Sequence, residues 1–108
     1  MLDKETVLVG GQTSKNDFYI APTLLNEPKL ESLVMKDEIF GPILPILSYT
    51  TESELNDIIL NYNKPLSLFV FTSKKSFAKK MIQNYSFGGG CINDTVIHFA
   101  NSRLPFGG

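Results

Sequence analysis

The chain has 108 residues, of which 43% are hydrophobic and 19% charged, and a formal net charge of −1. This composition is typical of one globular domain or part of one, and excludes a disordered segment. Lysine and arginine are dispersed, so there is no basic patch for nucleic acid, and no apolar run approaches the roughly 20 residues of a membrane span. The single cysteine, Cys91, excludes an intrachain disulfide framework. Together with residues 1–5, which lack the apolar core of a signal peptide, it favours a reducing cytoplasm.

The first quarter of the chain predicts extended structure. Residues 5–10 form a short strand that ends at a glycine pair, and residues 13–17 form a polar loop. Residues 18–25 form a second extended run. Because Pro22 cannot donate to a strand ladder, this run lies at a sheet edge or is irregular.

A short helix is expected next. Asn26 suits a helix N-cap, and Pro28 suits the first turn. The spacing of Leu30, Leu33 and Val34 places one apolar stripe on a helix that ends just after Val34.

From residue 43 the pattern becomes strand, helix, strand, helix, strand, with strands over 43–49, 66–72 and 91–93. Helices between strands indicate parallel pairing. The predicted fold class is α/β, a βαβαβ parallel-sheet segment preceded by irregular strands. Ligands of such sheets bind beyond the carboxyl ends of the strands, where Asn93 and Asp94 would lie.

The two helices of this segment have recognisable ends. Thr51 and Glu54 form a capping box for the first helix, Pro65 ends it, and Ser73 caps the second. The near-continuous apolarity of residues 66–72 indicates burial on both faces of the strand. The inward-facing residues are predicted to be Leu55, Ile58, Ile59 and Tyr62 on the first helix, and Phe77, Met81, Ile82 and Tyr85 on the second.

Several reactive residue types are interpreted as structural, and no metal site is predicted. Cys91 lies in an apolar strand with no Lys, Arg or His within six residues, which favours a buried thiol over a nucleophile. His98 could be a general base, but a hydrogen bond to a backbone group is favoured. Residues 88–90 are glycines that precede a strand rather than a helix, which indicates a turn and not a phosphate loop. The lysines of the second helix indicate a solvated face.

The most informative segment is residues 36–42, Lys-Asp-Glu-Ile-Phe-Gly-Pro. The carboxylate of Glu38 can accept two hydrogen bonds from a vicinal diol such as a ribose. Phe40 can pack against a flat ring, and Gly41 and Pro42 can direct both side chains into one cleft. A loop carboxylate beside a core phenylalanine is the alternative that these residues alone leave open.

This segment resembles the Glu-Ile-Phe-Gly-Pro motif of NAD(P)-dependent aldehyde dehydrogenases. Three more segments resemble the same family in the same order: a Gly-Gly pair with Tyr-Ile-Ala-Pro-Thr at 19–23, Gly-Gly-Cys-Ile-Asn-Asp at 89–94, and Leu-Pro-Phe-Gly-Gly at 104–108. Residues 93–99 resemble the class 3 type, which includes fatty and benzaldehyde dehydrogenases.

The resemblance implies an oxidoreductase that converts an aldehyde to a carboxylic acid with NAD or NADP, through a cysteine thioester. Residues 1–108 would be a C-terminal fragment of its catalytic domain, inactive alone because the nucleophile lies upstream. Glu38 and Phe40 would bind the cofactor at the nicotinamide ribose, and Phe106 and Asn93 would border the substrate pocket. The intact enzyme would be a homo-oligomer. The alternative is a small α/β interaction module with no chemistry of its own.

Overall fold

The computed structural model describes residues 6–104, which belong to two compact units, Met1–Glu52 and Ser53–Gly108. Each unit contains a pair of parallel strands whose connection includes a helix, so the predicted α/β class is confirmed. In chain order the elements are β1 (Val7–Val9), β2 (Thr13–Ser14), β3 (Tyr19–Ile20), β4 (Thr23–Asn26), α1 (Leu33–Lys36), β5 (Ile43–Ile46), α2 (Glu52–Leu60), β6 (Ser67–Val70), α3 (Lys75–Asn84), β7 (Gly89–Ile92) and a 3-10 helix (Ile97–Ala100).

The first unit is built on a three-stranded sheet in the order β1-β4-β5. Strand β1 runs antiparallel to β4, and β5 runs parallel to it. The sequence placed β5 at the start of a βαβαβ segment, whereas its parallel neighbour in the structure is β4. Of the two alternatives predicted for the second extended run, the irregular one is confirmed: the run is interrupted at Ala21 and Pro22 and divides into β3 and β4. Its second part, β4, is central in its sheet, because Pro22 stands just before β4 and leaves the ladder positions of β4 intact.

The polar segment 13–17 is not purely a loop. Strand β2 pairs antiparallel with β3, Thr13 opposite Ile20 and Ser14 opposite Tyr19. The turn between them is closed by the Phe18 N–H, which donates to the Lys15 carbonyl. Two-residue strands carry too little periodicity to be recognised in a sequence.

The glycine pair after β1 is a close-approach point between two backbone segments. Gly10 has φ +86°, and a Cβ built on it would lie 2.1 Å from the Pro22 carbonyl oxygen. The Gly11 N–H donates to Thr23 Oγ1 at 2.9 Å, and this hydroxyl donates to the Ala21 carbonyl at 2.7 Å. The Gly-Gly and Ala-Pro-Thr segments therefore meet in space, at the end of β1 and the start of β4.

The helix expected from Asn26 is much shorter in the structure. Asn26 is the last residue of β4, and the Glu27 N–H donates to the Ile46 carbonyl at 2.9 Å, so the chain is still paired with β5 there. The helix α1 begins only after Ser32, and none of its residues is buried. Sheet pairing has overridden the helical spacing of the apolar residues.

The second unit packs α2 and α3 against β6, which pairs in parallel with β7. Helix α2 begins at Glu52, as the capping box predicts. Helix α3 begins one residue later than Ser73 predicts, with Lys74 at its N-cap. The core consists of Val70, Ala78 and Met81, with Leu55, Ile59, Leu68, Phe77 and Tyr85 packed against it.

Several burial predictions for this unit are wrong. Tyr62 lies beyond the end of α2 and is 36% exposed, and Leu66 lies before β6 and is 42% exposed. Ile82, expected to face inward, is 44% exposed, and Phe71, expected to be covered on the strand, is 64% exposed. Ala78 fills the inward position instead, because the helix packs its Ala78–Met81 face on β6. The strand β6 itself ends at Val70, so Phe71 lies beyond the covered part of the sheet.

Candidate functional site

The loop between α1 and β5 presents Glu38 and Phe40 to solvent. The Glu38 side chain is exposed, and Phe40 is 93% exposed. The core-phenylalanine alternative is therefore wrong within this unit. The almost fully exposed ring of Phe40 provides an apolar face, and the carboxylate two residues away provides a strong hydrogen-bond acceptor.

The C-terminal end of this loop is fixed to the sheet. The Thr23 N–H donates to the Pro42 carbonyl at 2.8 Å, which joins the loop to the first residue of β4. The Ile43 N–H donates to the Gly41 carbonyl at 2.9 Å and forms a tight turn. Gly41 has no heavy atom within 4 Å of the position of a Cβ, so the space beside Phe40 is open.

The residues of this loop fit a dinucleotide at its ribose. Glu38 offers acceptor oxygens for two vicinal hydroxyl groups, and Phe40 offers a ring face for packing against the sugar and base. Both groups are exposed and precede an anchored turn, so a ligand could reach them without displacing core residues.

Asn93 follows β7 in a left-handed backbone conformation, with φ 55°. Its Oδ1 accepts the Thr72 N–H at 2.7 Å, and its Nδ2 donates to the Thr72 carbonyl at 3.0 Å. It borders a cavity of about 550 Å³ at the carboxyl ends of β6 and β7, as the parallel-strand rule predicts. The cavity is lined by Thr72, Ser73, Lys75, Ala78, Lys79, Ile82, Gln83, Ile92 and Asn93. The other pocket residue, Phe106, lies outside the described residues.

The structure brings Cys91 and His98 together, which the sequence reasoning missed. Cys91 Sγ and His98 Nδ1 are 3.5 Å apart, and both residues are partly buried. The partner of His98 is thus a thiol rather than the expected backbone group. His98 is seven residues from Cys91, just beyond the six neighbouring residues that lack a Lys, Arg or His. The sequence feature that points to this contact is the turn after β7, which folds the chain back before the 3-10 helix.

The His98 ring is packed tightly from several sides. A Cβ on Gly89 would lie 2.7 Å from His98 Cδ2, so any other residue at that position of β7 would displace the imidazole. Ring centroids of Phe69 and Phe99 lie 5.6 Å and 4.0 Å from that of the imidazole. The other ring nitrogen, Nε2, is buried without a hydrogen-bond partner among the residues described. These contacts assign the pair to packing of the 3-10 helix on β7.

Within residues 6–104, no cluster of three or more His, Cys, Asp or Glu side chains could hold a metal ion. Over the same residues, every helix is too short or too polar to cross a membrane.

The comparisons agree with the motifs. A sequence model of the aldehyde dehydrogenase family matches residues 3–108. The 4,4'-diaponeurosporen-aldehyde dehydrogenase of Staphylococcus aureus is 46% identical over 102 residues, which cover 94% of this chain and 22% of that protein. Aldehyde dehydrogenase family 3 member A2 of Rattus norvegicus is 41% identical over 108 residues, 100% of this chain and 22% of that protein. The chain therefore spans less than a quarter of these relatives.

Solved structures give the same result. The substrate-bound state of Staphylococcus aureus AldH superposes with a TM-score of 0.89 and 45% identity, over 97% of this chain and 23% of that one. A Mycobacterium tuberculosis aldehyde dehydrogenase complexed with NAD+ superposes with a TM-score of 0.71 and 28% identity, over 83% of this chain and 19% of that one.

Proposed function

Because this chain belongs to the aldehyde dehydrogenase family, and to its class 3 branch, we propose that the intact protein oxidises an aldehyde to a carboxylic acid with NAD or NADP. Residues 1–108 are then a C-terminal fragment of its catalytic domain. The proposal includes a homo-oligomer in the reducing cytoplasm, where a catalytic thiol stays active.

The observation that carries this proposal is the exposed pair on the loop after α1. The Glu38 carboxylate accepts hydrogen bonds from the two hydroxyls of the nicotinamide ribose, and the Phe40 ring packs beside them. When bound, NAD or NADP supplies the acceptor for the hydride that leaves the aldehyde carbon. The role of Glu38 and Phe40 is to fix the position and orientation of that acceptor.

A second part of the proposal concerns the substrate. Asn93 and Phe106 border the aldehyde pocket, with Asn93 at the carboxyl end of β7, where ligands of parallel sheets bind. Two hydrogen bonds to Thr72 hold the Asn93 amide against the chain just beyond β6. Its contribution is therefore to the shape of the pocket wall.

The nucleophilic thiol comes from another segment of the intact enzyme, and the thioester forms there. Cys91 is a poor candidate because its sulfur is partly buried and lies against the His98 ring, which restricts approach of an aldehyde. The 108-residue chain alone is accordingly inactive.

The test is aldehyde-dependent reduction of NAD or NADP by the intact gene product, followed by absorbance of the reduced cofactor. The matched control is the purified 108-residue chain at the same concentration. We expect turnover by the intact protein only. If the intact protein reduces neither cofactor with aliphatic or aromatic aldehydes, the proposal fails. A non-catalytic interaction module would then be the better account.

A further inference from the structure

We infer that Asn93 is a positioning residue whose side-chain amide continues the β6–β7 ladder after the main chain has left it. In this role the amide acts on Thr72 and not on a bound molecule. Only its consequence for the aldehyde pocket rests on the proposed function. The ladder itself is independent of what the protein binds.

The strand register shows what the amide replaces. Val70 pairs with Ile92, so the next residue, Asn93, lies opposite Phe71. In a parallel ladder such a residue donates to the residue before its partner and accepts from the residue after it. The Asn93 N–H does donate to the Val70 carbonyl, at 2.8 Å. The Thr72 N–H, however, donates to Asn93 Oδ1 at 2.7 Å, so the side-chain carbonyl takes the ladder position of the backbone carbonyl.

The second half of the amide extends the ladder by one more bond. In a continued ladder the Thr95 N–H, two residues beyond Asn93, would donate to the Thr72 carbonyl. Asn93 Nδ2 donates to this carbonyl instead, at 3.0 Å. A primary amide has the same carbonyl and N–H groups as a peptide unit. The left-handed φ of 55° turns the main chain away, and asparagine tolerates this conformation better than most residues.

The position of Thr72 has consequences for the cavity. Its Oγ1 accepts the Lys74 N–H at 3.0 Å, immediately before α3 begins at Lys75. Thr72 thus lies between the end of β6 and the start of α3, and both Thr72 and Lys75 line the 550 Å³ cavity. By holding both backbone groups of Thr72, Asn93 fixes one wall of that cavity.

The same arrangement occurs independently in the first unit. Glu27 follows β4 with φ 47°, and its N–H donates to the Ile46 carbonyl at 2.9 Å. Its Oε1 accepts the Ser48 N–H at 2.7 Å, in the ladder position of its own backbone carbonyl. A carboxylate can supply only the acceptor half of this substitution. The Asn93 amide supplies both halves, the acceptor and the donor.

The test uses the intact gene product with two variants that separate the two bonds. Asn93→Gly keeps the left-handed backbone but removes both bonds, so we expect the Thr72 amide to exchange with deuterium at least tenfold faster. Asn93→Asp keeps the acceptor and places a carboxylate oxygen against the Thr72 carbonyl. At pH 7 we expect a lower Tm of the intact protein, because one hydrogen bond is replaced by repulsion between two oxygens. The controls are Asn84→Gly and Asn84→Asp, at an exposed residue that ends α3.

Unchanged exchange at Thr72 in Asn93→Gly, or a Tm loss in Asn93→Asp no greater than in Asn84→Asp, would overturn the inference. For the pocket, we expect the Asn93 variants to raise KM for the aldehyde more than KM for the cofactor. An intact protein that shows the exchange and Tm effects but oxidises no aldehyde contradicts the proposed function and leaves the ladder role standing.

Discussion

Gly10 cannot be replaced by a larger residue without a change in the backbone. Its φ is positive, and a Cβ added there would approach the Pro22 oxygen to 2.1 Å. The two constraints act together, because neither backbone segment can move without breaking the β1–β4 pairing. We expect Gly10→Ala to lower the free energy of unfolding by about 2–4 kcal/mol.

The matched control for this prediction is Gly41→Ala. No atom lies within 4 Å of the added methyl group there, and φ is not in the left-handed region. We expect a change within about 0.5 kcal/mol by denaturant unfolding. Equal losses in both variants would show that the close approach of Gly10 to Pro22 is not what stabilises this edge.

The contact between Gly89 and His98 makes a second prediction at the residue scale. Gly89→Ala should destabilise the second unit by about 1–3 kcal/mol, because the new methyl overlaps the imidazole. The stability loss in the double variant Gly89→Ala with His98→Ala should be smaller than the sum of the two single losses, because the clash is then absent. Strict additivity in a double-mutant cycle would contradict the packing described for this pair.

Helix α3 shows how far an element can be read from its sequence. Its existence and its amphipathic character are predicted from spacing alone, but its exact inward face is not, because Ile82 and Met81 are adjacent and similar in polarity. We expect Met81→Ala to cost about 2–4 kcal/mol and Ile82→Ala less than about 1 kcal/mol, by thermal unfolding. The reverse order would contradict the core of this unit.

The remaining differences between sequence and structure have a common physical origin. The local pattern of apolar residues and breakers predicts the strands β5, β6 and β7, but strand partners depend on contacts distant in the chain. Residues 26–35 carry a helical spacing, yet pairing of Glu27 with Ile46 extends the sheet contact there. The Cys91–His98 contact depends on the turn after β7, which the local pattern of apolar residues does not show. The motif around Glu38 could be recognised from the sequence because its residues are contiguous.

At the scale of the whole molecule, many large apolar side chains are exposed within the described residues. They include Phe18, Leu33, Phe40, Leu60 and Phe71, each more than 60% exposed. A chain that spans about 22% of its relatives would leave such groups uncovered. We expect the isolated 108-residue chain to bind an apolar dye and to self-associate, as measured by light scattering. A monodisperse monomer that binds no dye would contradict this expectation.

The most direct test of the central claim, that this segment positions the cofactor of an aldehyde dehydrogenase, is the Michaelis constant for NAD or NADP in the intact protein. The variants are Glu38→Gln and Phe40→Ala. The controls are Glu31→Gln and Phe18→Ala, which change the same residue types in the same unit but outside the loop between α1 and β5.

We expect Glu38→Gln to raise the cofactor KM about tenfold, because charge-assisted hydrogen bonds to the ribose are lost. Phe40→Ala should raise it by about three- to tenfold through lost packing. The KM for the aldehyde should change little, and the controls should match the wild type. A cofactor KM that is the same in the Glu38 and Phe40 variants as in the controls would contradict the account.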